Sequence, residues 1–207
     1  LYSRPWFMKD PRQCLLLWLW TDARPDHDLA VITIRRPEGV ADSLRRRNRY
    51  PLALGHALWE RYCHDLLEAI DGRPCIILRY EDLLADPTRW VTELAGALDR
   101  HLPTPPTGAF ADHVDHAAEL VRRNDGPPAP DDSLEPEQRA LADLVGDLTG
   151  YHAAFRTPEL PPLSARGLRT IQRRRRWLNL IRPIARNPTV KARLDRMPAV
   201  VRDLRRS

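Results

Sequence analysis

LAVITIRRPEGVADSLRRR, residues 29–47, decides how the rest of this 207-residue chain is read. Ala30–Ile34 is a short run rich in β-branched side chains, the composition of a strand buried on both faces. Arg35-Arg36-Pro37 breaks the run. A proline at the first position of a helix loses no hydrogen bond, so EGVADSLRRRN continues as that helix. Strand, cationic turn and helix together bring backbone N–H groups and an arginine to the carboxyl end of a strand. Open α/β sheets bind anions at such places. Ser43 follows Gly39 by four residues and Arg36 by seven, so the three share one helix face. A phosphate held by Arg35 can then also accept a hydrogen bond from the Ser43 hydroxyl. The same residues also suit an ordinary βα unit with a solvated arginine cluster.

Outward from this unit, strands and helices alternate. Lys9-Asp10-Pro11-Arg12 precedes the apolar stretch QCLLLWLW, which suggests an earlier strand–turn–helix unit within residues 1–20. Leu52–Ile70 carries apolar residues at helical spacing and is stopped by Asp71-Gly72. Pro74–Tyr80 reads as a further strand with Glu81-Asp82 as its polar exit. Asp86-Pro87 then opens a helix containing Trp90, Leu94 and Leu98 on one face. No hairpin turn separates these elements, so the expected fold is α/β with a mostly parallel sheet. Residues 109–123 and 134–148 read as two further helices. The proline-rich stretch 156–164 reads as a linker into a tail of two short helices broken at Pro183. The expected organisation is an α/β core at 1–102, a helical part of the same domain at 103–163, and a basic amphipathic tail at 164–207.

Composition narrows the function classes. The chain is long enough for one sizeable core. It contains no run of about 18 apolar residues, the length that suggests a membrane-spanning helix. Cys14, Cys63 and Cys75 are odd in number and lack metal-type spacing, as expected of buried thiols in a reducing, cytoplasmic setting. With nine glycines the sequence offers no Gly-rich phosphate loop. The net charge of +5 is unevenly placed: residues 164–207 carry +12, leaving −7 on the first 163. An acidic body argues against nucleic acid as a partner. The tail, with Trp177 beside a leucine–isoleucine stripe, suits a peripheral place on an anionic membrane face. Docking on the acidic body accounts for the same charges. His113 and His116 have an i, i+3 spacing that suits a metal, but no third ligand accompanies them, and no metal is expected. Lys9 stands out because only it and Lys191 are lysines among 33 basic residues.

KDPR (9–12), RRPEGVADSL (35–44) and YEDLLADP (80–87) resemble, in order and spacing, the second half of bacterial sulfotransferases. These belong to the P-loop-like superfamily and use 3′-phosphoadenosine 5′-phosphosulfate (PAPS). The resemblance implies that Arg35 and Ser43 hold the 3′-phosphate and that Tyr80 lines the nucleotide pocket. It implies that Lys9 contacts the transferring sulfuryl group and the bridging oxygen. It also implies sulfuryl transfer from PAPS to a hydroxyl or amine of a glycan, glycolipid or small metabolite. The family's loop for the 5′-phosphosulfate has no counterpart in this Gly-poor sequence. The expectation is therefore the carboxyl-terminal portion of a longer enzyme, inactive without its amino-terminal portion. Pro11 stands where cytosolic members carry a catalytic histidine, and Asp10 is the adjacent carboxylate. Two alternatives stand beside this reading. One is a non-catalytic module that binds anions or a membrane surface. The other is a nucleotide-dependent kinase, for which a Walker-type lysine loop is lacking.

Overall fold

The structure, a computed structural model, describes residues 29–101 and 133–173, together with Lys9, Cys14, Leu15 and Leu17. It has three strands and six helices among these residues: β1 (Ala30–Ile34), α1 (Pro37–Asn48), α2 (Leu52–Ala69), β2 (Cys75–Arg79), α3 (Tyr80–Ala85), α4 (Pro87–His101), α5 (Pro136–Asp147), β3 (Gly150–His152) and α6 (Ala165–Arg173). Of the unit expected within 1–20 only Lys9, Cys14, Leu15 and Leu17 are described, the last three in helical conformation; its other residues, the helix expected at 109–123 with His113 and His116, and the tail beyond 173 lie outside the described residues.

The sheet order is β1–β2–β3. β1 and β2 are parallel, with Ala30 opposite Cys75 and Ile34 opposite Arg79. Alternate side chains of a strand point to opposite faces, and this divides the core in two. Ile32, Cys75 and Ile77 pack with Trp59, Cys63, Leu67 and Ile70 of the α2 region, Leu141 and Val145 of α5, and Phe155. On the other face Ile76, Leu78 and Val31 meet Trp90, Leu94 and Ala97 of α4. Residues Cys75 to Leu78 are buried whichever way they point, as befits the middle strand.

The expectation of a mostly parallel sheet is corrected by β3. Gly150, at φ 120°, turns the chain after α5, and residues 150–152 pair antiparallel with Cys75–Ile77. The sheet is mixed. A three-residue strand is too short to show alternation in sequence. Glu81-Asp82, read as a polar exit, lies instead within the short helix α3.

α1 and α2 form an antiparallel pair whose backbones approach closely. A Cβ on Gly55 would fall 2.5 Å from Ala41 Cα, so glycine is required for this approach. α2 ends at Ala69, and Gly72, at φ 74°, reverses the chain toward β2.

The stretch 156–164, expected as a linker, is docked along α2. Phe155 is buried and exchanges backbone hydrogen bonds with Gly72 and Arg73. The Thr157 hydroxyl donates to the Leu67 carbonyl (2.8 Å), and its N–H donates to Asp71 Oδ1 (2.9 Å). Ser164 then meets Glu60, which is 2 % exposed. Glu60 Oε1 accepts the Ser164 N–H, while Oε2 accepts the Ser164 hydroxyl (2.7 Å) and the Gln138 amide (2.9 Å). Ser164 Oγ in turn accepts the Gly167 N–H (3.1 Å) and so caps α6. Gln138 serves two elements, because its Oε1 also accepts the Glu135 N–H in the capping box of α5. A buried carboxylate with three donors thus ties α2, α5 and α6 together.

Candidate functional site

Parallel pairing in register places the residues that follow β1 and β2 at one carboxyl edge, so Arg35 and Tyr80 are neighbours there. The Arg35 guanidinium carbon lies 4.8 Å from the centre of the Tyr80 ring, within the range of a cation–π contact. On its other side Arg35 lies across the first turn of α1. A Cβ at Gly39 would stand 2.7 Å from Arg35 Nε, so the absent side chain is what makes room. The face of α1 that Gly39 turns to Arg35 carries Ser43 one turn later.

Two further contacts hold the turn. The Trp59 indole N–H donates to the Arg35 carbonyl (3.0 Å), fixing the strand end to α2. The Arg36 N–H donates to Glu81 Oε1 (3.0 Å), joining the two strand ends to each other. Pro37 occupies the first position of α1, and the cap residue Arg36 makes no side-chain cap hydrogen bond. The first-turn amides of α1 therefore accompany a cation at this edge.

The structure brings two of the four residues singled out in the sequence into contact. Arg35 and Tyr80 touch, while Ser43 lies on α1 one turn beyond the Gly39 that faces Arg35. The contact changes the reading of Tyr80, since one face of its ring is taken up by the guanidinium. Lys9 is exposed, and its immediate neighbours lie outside the described residues, so its position relative to Arg35 has no geometric support. Trp59, Gly39 and Glu81 as supports of the turn were not foreseen. The first looks like any core aromatic of an amphipathic helix, and Glu81 is 45 residues from the amide it accepts.

Comparisons with protein-family models, curated proteins and solved structures find no match to this chain.

Other chemistries receive little from the described residues. No group of three or more His, Cys, Asp or Glu among them is placed to hold a metal ion. Burial pushes the Cys75 thiol up to about 11 and raises that of Cys63 as well, which disfavours the nucleophilic thiolate in both. No helix among the described residues is long and apolar enough to cross a membrane. The carboxyl edge of β1 and β2 is the place where a cation, an aromatic ring and the first turn of a helix come together.

Proposed function

We propose that this edge binds the 3′-phosphate of PAPS and that the chain is part of a PAPS-dependent sulfotransferase with a P-loop-like sheet. The observation that carries the reading is the Arg35 guanidinium held between the Tyr80 ring and Gly39, with Ser43 on the same helix face. A 3′-phosphate is a fixed dianion, suited to a charge-assisted bond from arginine and a second bond from a hydroxyl. Tyr80 on this reading is a positioning residue that keeps the guanidinium turned to the phosphate. Glycine at 39 leaves the space that Arg35 occupies.

The reaction is in-line transfer of a sulfuryl group. An acceptor hydroxyl or amine attacks sulfur and loses its proton as the new S–O or S–N bond forms. The bond from sulfur to the bridging phosphate oxygen breaks, and adenosine 3′,5′-bisphosphate leaves. Lys9, by the resemblance of KDPR to the family's motif, stabilises charge developing on the bridging oxygen. The acceptor is proposed as a glycan, a glycolipid or a small metabolite, and the setting as cytoplasmic.

Calorimetry of the chain with adenosine 3′,5′-bisphosphate and with AMP tests the reading. The bisphosphate should bind more tightly, and Arg35→Ala should weaken it by about 2 kcal/mol, roughly thirtyfold. Equal affinity for the two nucleotides, or an unchanged Arg35→Ala variant, would remove the assignment.

A further inference from the structure

Two basic elements from distant parts of the chain converge at one end of α2. The first is the turn between α1 and α2. Arg35 lies level with Trp59 through its carbonyl, and Ala41 lies level with Gly55. The pair therefore runs antiparallel, and its connecting turn at 49–51 is the part farthest from the sheet, beyond the carboxyl edge. Arg45, Arg46, Arg47 and Arg49 are all exposed there. Residues 43–59 contain these four arginines and no acid. Asp42 alone pairs with both Arg45 (2.7 Å) and Arg46 (2.8 Å), and more than half of each arginine side chain stays in water. Arg47 donates to the neutral Asn48 side chain.

The second element is α6. The chain leading to it meets α2 in steadily falling order: Phe155 at Gly72, Thr157 at Asp71 and Leu67, Ser164 at Glu60, and Gly167 at Glu60 and Ala57. It thus climbs from the amino edge of the sheet toward Leu52, and α6 continues in that direction toward the arginine-bearing turn. Gly167 and Ile171 face inward, while Arg166, Leu168 and Arg169 are exposed. Arg166 is paired with Glu135 (3.0 Å), and Arg169 is followed in sequence by Arg173–Arg176.

We propose that the tip of the α1–α2 pair and the outward face of α6 together form a docking surface for an anionic lipid bilayer. Among the described residues, Asp42 and Glu135 are the carboxylates that pair with these six guanidinium groups. Leu168, 39 % exposed among these cations, supplies the apolar side chain that enters a headgroup layer and has no use on a phosphodiester backbone. A flat surface touches only this end of the molecule. A nucleic acid wrapping the body would meet the −7 carried by residues 1–163. Docking in this way turns the carboxyl edge with Arg35 and Tyr80 toward the lipid, because both lie on the same side of the sheet. The surface does not depend on which nucleotide, if any, that edge binds.

Co-sedimentation of the full chain with phosphatidylcholine vesicles, alone or mixed with phosphatidylglycerol, tests the proposal. Binding is expected only to the mixed vesicles and should fall as salt is raised. Replacing Arg45, Arg47 and Arg49 together by Glu should weaken it by about tenfold or more, although every cation of residues 164–207 remains. A milder pair, Arg47→Gln with Arg49→Asn, should give a smaller loss. Asparagine suits the left-handed backbone of residue 49 (φ 56°), so this pair keeps the fold. Leu168→Asn should also weaken binding. Variants of the α1–α2 tip that bind mixed vesicles as tightly as wild type overturn the surface, since residues 164–207 then suffice. Preference for a single-stranded oligonucleotide over mixed vesicles overturns the choice of partner, and failure to bind the mixed vesicles at low salt overturns the proposal outright.

Discussion

Gly39 and Gly167 occupy equivalent positions, each the third residue of its helix, and each leaves room for a charged side chain to lie across a first turn. Adding one methyl group to each should nevertheless have different effects. At Gly39 the obstructed group is the flexible Arg35 side chain, which can swing away, and alanine favours a helix by about 1 kcal/mol over glycine. Gly39→Ala should leave thermal stability level or slightly raised while nucleotide affinity falls, by displacing the guanidinium from Tyr80. At Gly167 the obstructed atoms are Glu60 Oε2 and Ser164 Oγ, 2.5 and 2.6 Å from the added Cβ, and both are pinned by hydrogen bonds. Gly167→Ala should cost about 2 kcal/mol or more, read as a lower midpoint in denaturant. Equal effects of the two changes on stability would show that Glu60 is not held. The cationic turn was visible in the sequence because strand, proline and helix follow one another within a few residues. Its supports were not, since Trp59 and Glu81 reach it only through the fold.

At the scale of elements, α1 and α2 act as one rigid pair because Gly55 lets the two backbones meet at Ala41. Here the obstructing atom is backbone, which cannot swing aside. Gly55→Val should therefore spread the pair and cost about 3 kcal/mol through overpacking, even though valine is the better helix former of the two. Because Trp59 of α2 holds the Arg35 carbonyl, the same change should also weaken nucleotide binding. Thermal unfolding and calorimetry on the one variant check both outcomes. α2, β2 and α5 were legible from apolar spacing and from the residues that start and stop them. The segment 155–164 was not, for a physical reason. Its prolines at 158, 161 and 162 keep it extended and deprive it of ladder hydrogen bonds, so it resembles a linker in composition. What docks it on the α2 region is Phe155, a threonine hydroxyl and one serine, whose hydrogen-bond partners there are Gly72, Arg73, Leu67 and Glu60, far away in sequence.

For the molecule as a whole, the polar groups buried along α2 set how stability responds to acid. Burial holds His64 below its ordinary 6.5; the Glu60 charge opposes this and the Arg61 charge adds to it. His64 therefore stays neutral in the fold, whereas the unfolded chain takes up a proton near pH 6.5. Stability should fall as pH drops below about 6.5, down to the lowered folded value, and His64→Gln should flatten that part of the curve. Denaturant midpoints between pH 7 and 5 for both proteins provide the check. Glu60 has a consequence of another kind, for how much the chain can be shortened. A nonsense codon in place of Gln172 ends the chain after Ile171 and keeps every donor to the buried carboxylate. A nonsense codon in place of Ser164, about two helical turns earlier, leaves Gln138 as its one hydrogen-bond donor among the described residues. Loss of the protein should thus set in abruptly rather than gradually as stops move inward, even though Ser164 begins what the composition marks as a basic tail.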